Sequence, residues 1–162
     1  MTDYELMIKQ AEALTADTEW EISSLANIAA LIWESLEDIN WAGFYIMRNG
    51  RLHLGPFEGR VACTVIDVGS GVCGTAAAQN ETQLVYDVHE FPGHIACDSA
   101  SNSEIVIPLH RKGSIYGVLD IDSPLTGRFT DGDRAGLEKL AKVIENMLDD
   151  VTCRNGEEKQ DA

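Results

Sequence analysis

The 162-residue chain predicts an α+β fold in which helices pack on one antiparallel sheet. Apolar residues recur at helical spacing near both ends, and the middle holds short alternating runs bounded by turn signals. Two pairs of those runs are joined closely enough to be hairpins. No internal repeat, low-complexity block or linker breaks the order, so one domain spans 1–162, with its core at about 18–150.

Residues Asp3 to Thr15 read as a short helix. A second starts near Thr18, where Thr18-x-x-Glu21 spells a capping box. Ile22, Leu25, Ile28, Ala29, Ile32, Leu36 and Ile39 draw one apolar stripe, and Trp20 and Trp33 are assigned to packing. Trp41–Met47 alternates and runs into Asn49-Gly50, a strong hairpin signal, followed by Leu52–Phe57. Trp41, Gly43 and Tyr45 share one face of that first strand. Core packing is the common use of such a pair of rings; a slot floored by glycine is the alternative.

A turn at Gly55-Pro56 leads to an expected strand Val61–Val68 carrying Cys63. Gly69-Ser70-Gly71 opens a helix Val72–Gln79 with Cys73 in its first turn. A helix N-terminus lowers a thiol pKa, so Cys73 is either reactive or a small buried residue facing the sheet. These glycines match neither G-x-G-x-x-G nor a phosphate loop. Gln83–Val85 is a brief strand. Glu104–Leu109 and Ile115–Asp122 flank His110–Gly113 as a hairpin. Thr130-x-x-Asp133 starts a long helix with Leu137, Leu140, Val143, Ile144, Met147, Leu148 and Val151 on one face, and a polar, frayed tail follows from Cys153.

A net charge of −15 argues against nucleic acid and anionic membranes, which need clustered Lys and Arg. Solubility is the plain reading, and a cationic or amine-bearing ligand is the alternative, which net charge alone does not imply. The first residues lack the basic and apolar regions of a signal peptide. The longest apolar run, Ile28–Trp33, is far short of the ~20 residues that span a bilayer. The expectation is a soluble, cytoplasmic protein. Structural disulfides are then not expected. The four cysteines contain no C-x-x-C pair, so a zinc site is poorly supported and no metal is assigned. Redox or nucleophilic use is the active alternative to ordinary buried thiols.

Two stretches concentrate chemistry. The segment from Val85 to Glu104 has neither helical nor strand period and is far longer than the roughly 4–6 residues of a median loop. Phe91, Ile95 and the Pro92-Gly93 turn argue for an ordered loop, with Cys97 at its centre. Asp120 and Asp122 share a face, and folding the second hairpin about Lys112 brings Glu104 opposite Asp120 within register error. Like charges facing across strands are destabilising unless a cation, a shared proton or a ligand compensates. Solvated carboxylates at a wet strand end are the plain alternative.

Taken together, GPFEGRVAC at 55–63, GVCGTAA at 71–77, DVHEFPGHIACDSASNSEIVIPL at 87–109 and GVLDIDSP at 117–124 resemble the free methionine-(R)-sulfoxide reductases of the GAF fold. The resemblance covers roughly residues 18 to 150. It implies a central antiparallel sheet with the N- and C-terminal helices on one face and a ligand pocket on the other. It implies reduction of free L-methionine-(R)-S-oxide to L-methionine without a cofactor, through sulfenic acid and disulfide intermediates recycled by thioredoxin. Cys97 stands at the nucleophile's position, Cys63 at the main resolving cysteine's and Cys73 at an auxiliary one's. Trp41 and Tyr45 match the aromatics around the substrate methyl, and Glu104, Asp120 and Asp122 match the acids that hold substrate and polarise the sulfoxide. Cys153 has no counterpart, and a homodimer is left open.

The chemistry is coherent. A sulfoxide sulfur becomes electrophilic once its oxygen is protonated, and crowded acids keep a proton near neutrality. The same acids disfavour the Cys97 thiolate, and no Lys or Arg lies close in sequence. His89 and His94 are left out of the catalytic set. Two rivals are a non-catalytic GAF small-molecule sensor and a general thiol peroxidase.

Overall fold

The protein, seen here as a computed structural model, is described over residues 1–93 and 100–160, with side chains through 156. The helices are α1 (Tyr4–Thr15), α2 (Glu21–Ser35), α3 (Gly71–Gln79) and α4 (Asp131–Gln160). The strands are β1 (Trp41–Arg48), β2 (Arg51–Gly59), β3 (Val65–Asp67), β4 (Gln83–Val85), β5 (Ser103–Arg111) and β6 (Ser114–Ser123). They form one sheet in the order β3-β2-β1-β6-β5-β4, every neighbour antiparallel. The α+β expectation holds.

Alternation divides the sheet's faces. Ala42, Phe44, Ile105, Ile107, Leu109, Leu119 and Ile121 point to the side covered by α1, α2 and α4. The stripes anticipated on α2 and α4 close that core, with Leu25, Ile28, Ile32, Leu137, Leu140 and Ile144 fully buried. Trp41, Tyr45, Leu52, Val106 and Val118 point the other way, toward α3.

Local chemistry sets the boundaries. Asp3 caps α1 by accepting from the Leu6 amide at 3.0 Å. The box expected at α4 forms: Thr130 Oγ1 accepts from the Asp133 amide at 3.1 Å, and Asp133 Oδ2 accepts from the Thr130 amide at 2.9 Å. Burial alone would raise the Asp133 carboxyl, but hydrogen bonds from Tyr4 and Thr130 and the charge of Arg128 hold it below the usual range. Both hairpin turns, Asn49-Gly50 and Lys112-Gly113, have positive φ at both residues, the geometry that fits right-twisted strands.

Several expectations need correction. The Thr18 box does not form; α2 begins at Glu21 without a side-chain cap, because the Thr18 hydroxyl is committed to Ser24 and the Thr15 carbonyl. Trp20 is largely exposed and Trp33 keeps 39% of its surface in solvent, since both lie off the apolar stripe. Gly55-Pro56 is no turn: β2 runs through it, with an extra residue between the Gly43–Phe57 and Tyr45–Leu54 pairs. A bulge tolerates a proline that a ladder would reject. Only Val65–Asp67 of the expected 61–68 strand forms, so Cys63 sits in the preceding connection. α4 continues to Gln160, past the expected fraying point.

Candidate active site

β1, β6 and β5 lie side by side, and their register sets out the site. Asp122 is flanked by Trp41 on β1 and Glu104 on β5; one step along, Asp120 is flanked by Gly43 and Val106. The sequence placed Glu104 opposite Asp120, two residues out. Like charges do face across the strands, but the pair is Glu104 and Asp122. All three acids line one pocket with Trp41, Tyr45, Cys73 and Ser101.

α3 closes the pocket. Its first turn lowers Cys73 onto the acids, with Sγ 3.2 Å from Asp120 Oδ2 and 4.0 Å from Glu104 Oε1. Cys73 is therefore the buried, sheet-facing thiol, and burial and then the Asp120 charge push its pKa well up, overriding the helix terminus. Burial followed by Asp120 and Asp122 also raises Glu104 well above the carboxylate range, and burial raises Asp120. No Lys, Arg or His lines the pocket among the described residues. Such a site holds protons more tightly than free carboxylates do and favours a cationic guest.

The aromatic pair is not a slot. Trp41 and Tyr45 stack on each other with centroids 5.8 Å apart, and Phe57 also stacks on Trp41, at 5.2 Å. Gly43 serves the close approach of β2, since a Cβ there would lie 2.3 Å from Phe57 Cβ. The β2 bulge sets Phe57 there; extending the turn's register would pair Gly43 with Pro56. Both rings also reach outward. Trp41 Nε1 donates to the Arg60 carbonyl at 3.1 Å, and the Tyr45 hydroxyl to the Cys63 carbonyl at 2.9 Å. They clamp the connection that carries Cys63.

Cys63 is disulfide-bonded, whereas Cys73 and Cys153 carry free thiols. Cys153 lies across the molecule on α4, where its sulfur accepts from Lys112 Nζ at 2.8 Å. Cys97 and His94 lie outside the described residues. His89 sits in a single 3-10 turn, Val88–Glu90, and pairs with Asp87 at 2.9 Å. Sequence reasoning missed Phe57 and Ser101; the latter accepts from Asn40 Nδ2 at 3.2 Å at the pocket rim. No sequence motif marks either residue.

Residues 22–149 match the family model of the GAF domain. The chain is 57% identical over 136 residues to the free methionine-R-sulfoxide reductase of Escherichia coli K12, covering 84% of this chain and 82% of that protein. Reduced fRMsr of Staphylococcus aureus superposes with a TM-score of 0.89 at 50% identity, over 91% of this chain and 96% of that one. Free methionine-R-sulfoxide reductase from Neisseria meningitidis, in complex with its substrate, gives a TM-score of 0.90 at 40% identity, over 93% and 91%.

Proposed function

This chain belongs to the GAF domain family and, within it, to the free methionine-R-sulfoxide reductases, and on that premise we propose that it reduces free methionine-(R)-sulfoxide to methionine with a cysteine nucleophile. One observation carries the proposal: three buried or half-buried acids and two stacked aromatics converge on a pocket whose edge is tied to disulfide-bonded Cys63.

A carboxyl whose pKa is raised, Glu104 foremost, protonates the sulfoxide oxygen. The Cys97 thiolate attacks the sulfoxide sulfur to form an S–S bond. The hydroxyl then migrates to the Cys97 sulfur as the S–S and methionine S–O bonds break, so methionine leaves as the thioether and Cys97 is left as a sulfenic acid. Cys63 condenses with it, releasing water and forming the disulfide, which the dithiol of thioredoxin reduces by exchange. Cys73 is at most an auxiliary thiol, because its environment disfavours the thiolate. Trp41 and Tyr45 pack the substrate methyl, and at least one acid pairs with its α-ammonium. A cytoplasmic setting completes the proposal.

Incubation with racemic free methionine sulfoxide and a dithiol tests it. Loss of the R epimer alone is expected. Binding without consumption of either epimer would make the protein a small-molecule sensor instead.

A further inference from the structure

Cys73, Glu104 and Asp120 come from three elements, α3, β5 and β6, yet one donor atom of each lies within 4.8 Å of the others. All three are more than nine-tenths buried, exposed at 4%, 7% and 5%. The contact with Cys73 uses only Oδ2 of Asp120; its Oδ1 is buried without a hydrogen-bond partner. A substrate ammonium neutralises carboxylates but has no use for a thiol set among them. The donor set, two hard oxygens and one soft sulfur, has its own preference.

We propose that Cys73, Glu104 and Asp120 form a binding site for a borderline-soft divalent cation of the zinc class, and that this cation excludes substrate from the pocket. The exclusion rests on the reductase reading of the pocket, whereas the metal site does not. Zinc binds thiolate sulfur at about 2.3 Å and carboxylate oxygen at about 2.0 Å, so a tetrahedral site separates sulfur from oxygen by about 3.5 Å. The observed separations of 3.2 and 4.0 Å bracket that distance. Magnesium and calcium want six or more oxygens and reject the sulfur. Three protein ligands leave a fourth position open on the pocket side.

Protonation adds a signature. A thiolate and carboxylates bind the cation only when deprotonated, so binding releases protons into solvent and affinity should climb with pH. No electron transfer is involved.

Cadmium is the probe, because a cadmium–thiolate bond absorbs in the ultraviolet. The protein is the full chain with Cys63→Ser, Cys97→Ser and Cys153→Ser, which leaves Cys73 as its one cysteine. One equivalent of Cd²⁺ should produce the charge-transfer band in the folded protein. Adding Glu104→Gln should weaken binding by about 100-fold or more, beyond what loss of an outer-shell partner does. A folded protein without the band, or unchanged affinity in Glu104→Gln, overturns the site. Free methionine-(R)-sulfoxide should displace Cd²⁺ and erase the band. Simultaneous binding of both would overturn exclusion. A band with no substrate binding at all would uphold the metal site while counting against the reductase reading, so the two failures are distinct.

Discussion

Glu104 and Asp122 stand directly opposite each other across β5 and β6, and one extra residue, Tyr116, puts them there. From the turn, Arg111 pairs with Ser114 and His110 with Ile115, a register that would set Glu104 opposite Ile121 on the helix-packed face. The bulge at Tyr116 restores parity, so all three carboxylates share the pocket face. Tyr116 itself turns to the helix side, under the Arg111 guanidinium 4.9 Å from its ring, and burial pushes its phenol up to about 12.

Gly117 follows the bulge and lies against β1. A Cβ there would sit 2.1 Å from the Tyr45 carbonyl oxygen, a backbone atom that cannot rotate away. Gly117→Ala should lower stability by about 1–3 kcal/mol, read as a fall in the urea midpoint at unchanged slope. An unaltered midpoint would show that β1 yields freely.

The raised Glu104 pKa has a definite sign in stability. Below the unfolded value of about 4.3 its stabilising share is fully present, and it is lost as pH rises through the higher folded value. Glu104→Gln does not titrate, so it should gain stability on wild type between pH 4 and 8. Parallel urea-stability profiles across that range would contradict the burial argument.

Tyr45→Phe removes the 2.9 Å bond to the Cys63 carbonyl and little else. A stability loss of about 0.5–1.5 kcal/mol is expected. Thioredoxin-dependent turnover should fall more than first-turnover methionine release if, as proposed, Cys63 is the resolving thiol that this bond positions. Equal falls in both rates would place Tyr45 solely in substrate binding.

The cysteines should separate by role. Cys97→Ser should abolish turnover with any reductant, and Cys63→Ser should retain a single turnover while losing thioredoxin cycling. Cys73→Ser should cost less recycling than Cys63→Ser, given its buried, proton-holding site. Cys153→Ser should be silent. Were Cys63→Ser to recycle like wild type, Cys73 would be the resolver.

Pairing of an acid with the substrate ammonium predicts selectivity. Leaving a buried partner unpaired costs roughly 3–5 kcal/mol, so free methionine-(R)-sulfoxide should be preferred over its N-acetyl form by about 100-fold or more in kcat/KM. Comparable values would move all three acids to sulfoxide chemistry or to structure.

The sequence by itself determined the elements and the faces. Helical spacing marked the buried stripes of α2 and α4, and alternation put Trp41 and Tyr45 on one side and Asp120 with Asp122 on one side, because both periods are local properties of the backbone. The family was legible from its motifs, and Cys97, singled out from composition, lies outside the described residues. Only the tertiary structure decided which groups meet. Whether Glu104 faced the acids at all hung on a bulge at Tyr116, and no side-chain preference announces one added residue. Placing Phe57 against Trp41 depended on a second bulge at Gly55-Pro56, which read locally as a turn. Of the two readings open for Cys73, the buried, sheet-facing one holds, because α3 lowers it onto carboxylates contributed from 31 and 47 residues away. Burial and charge at that distance are set by how strands stack, and spacing along the chain carries no record of it.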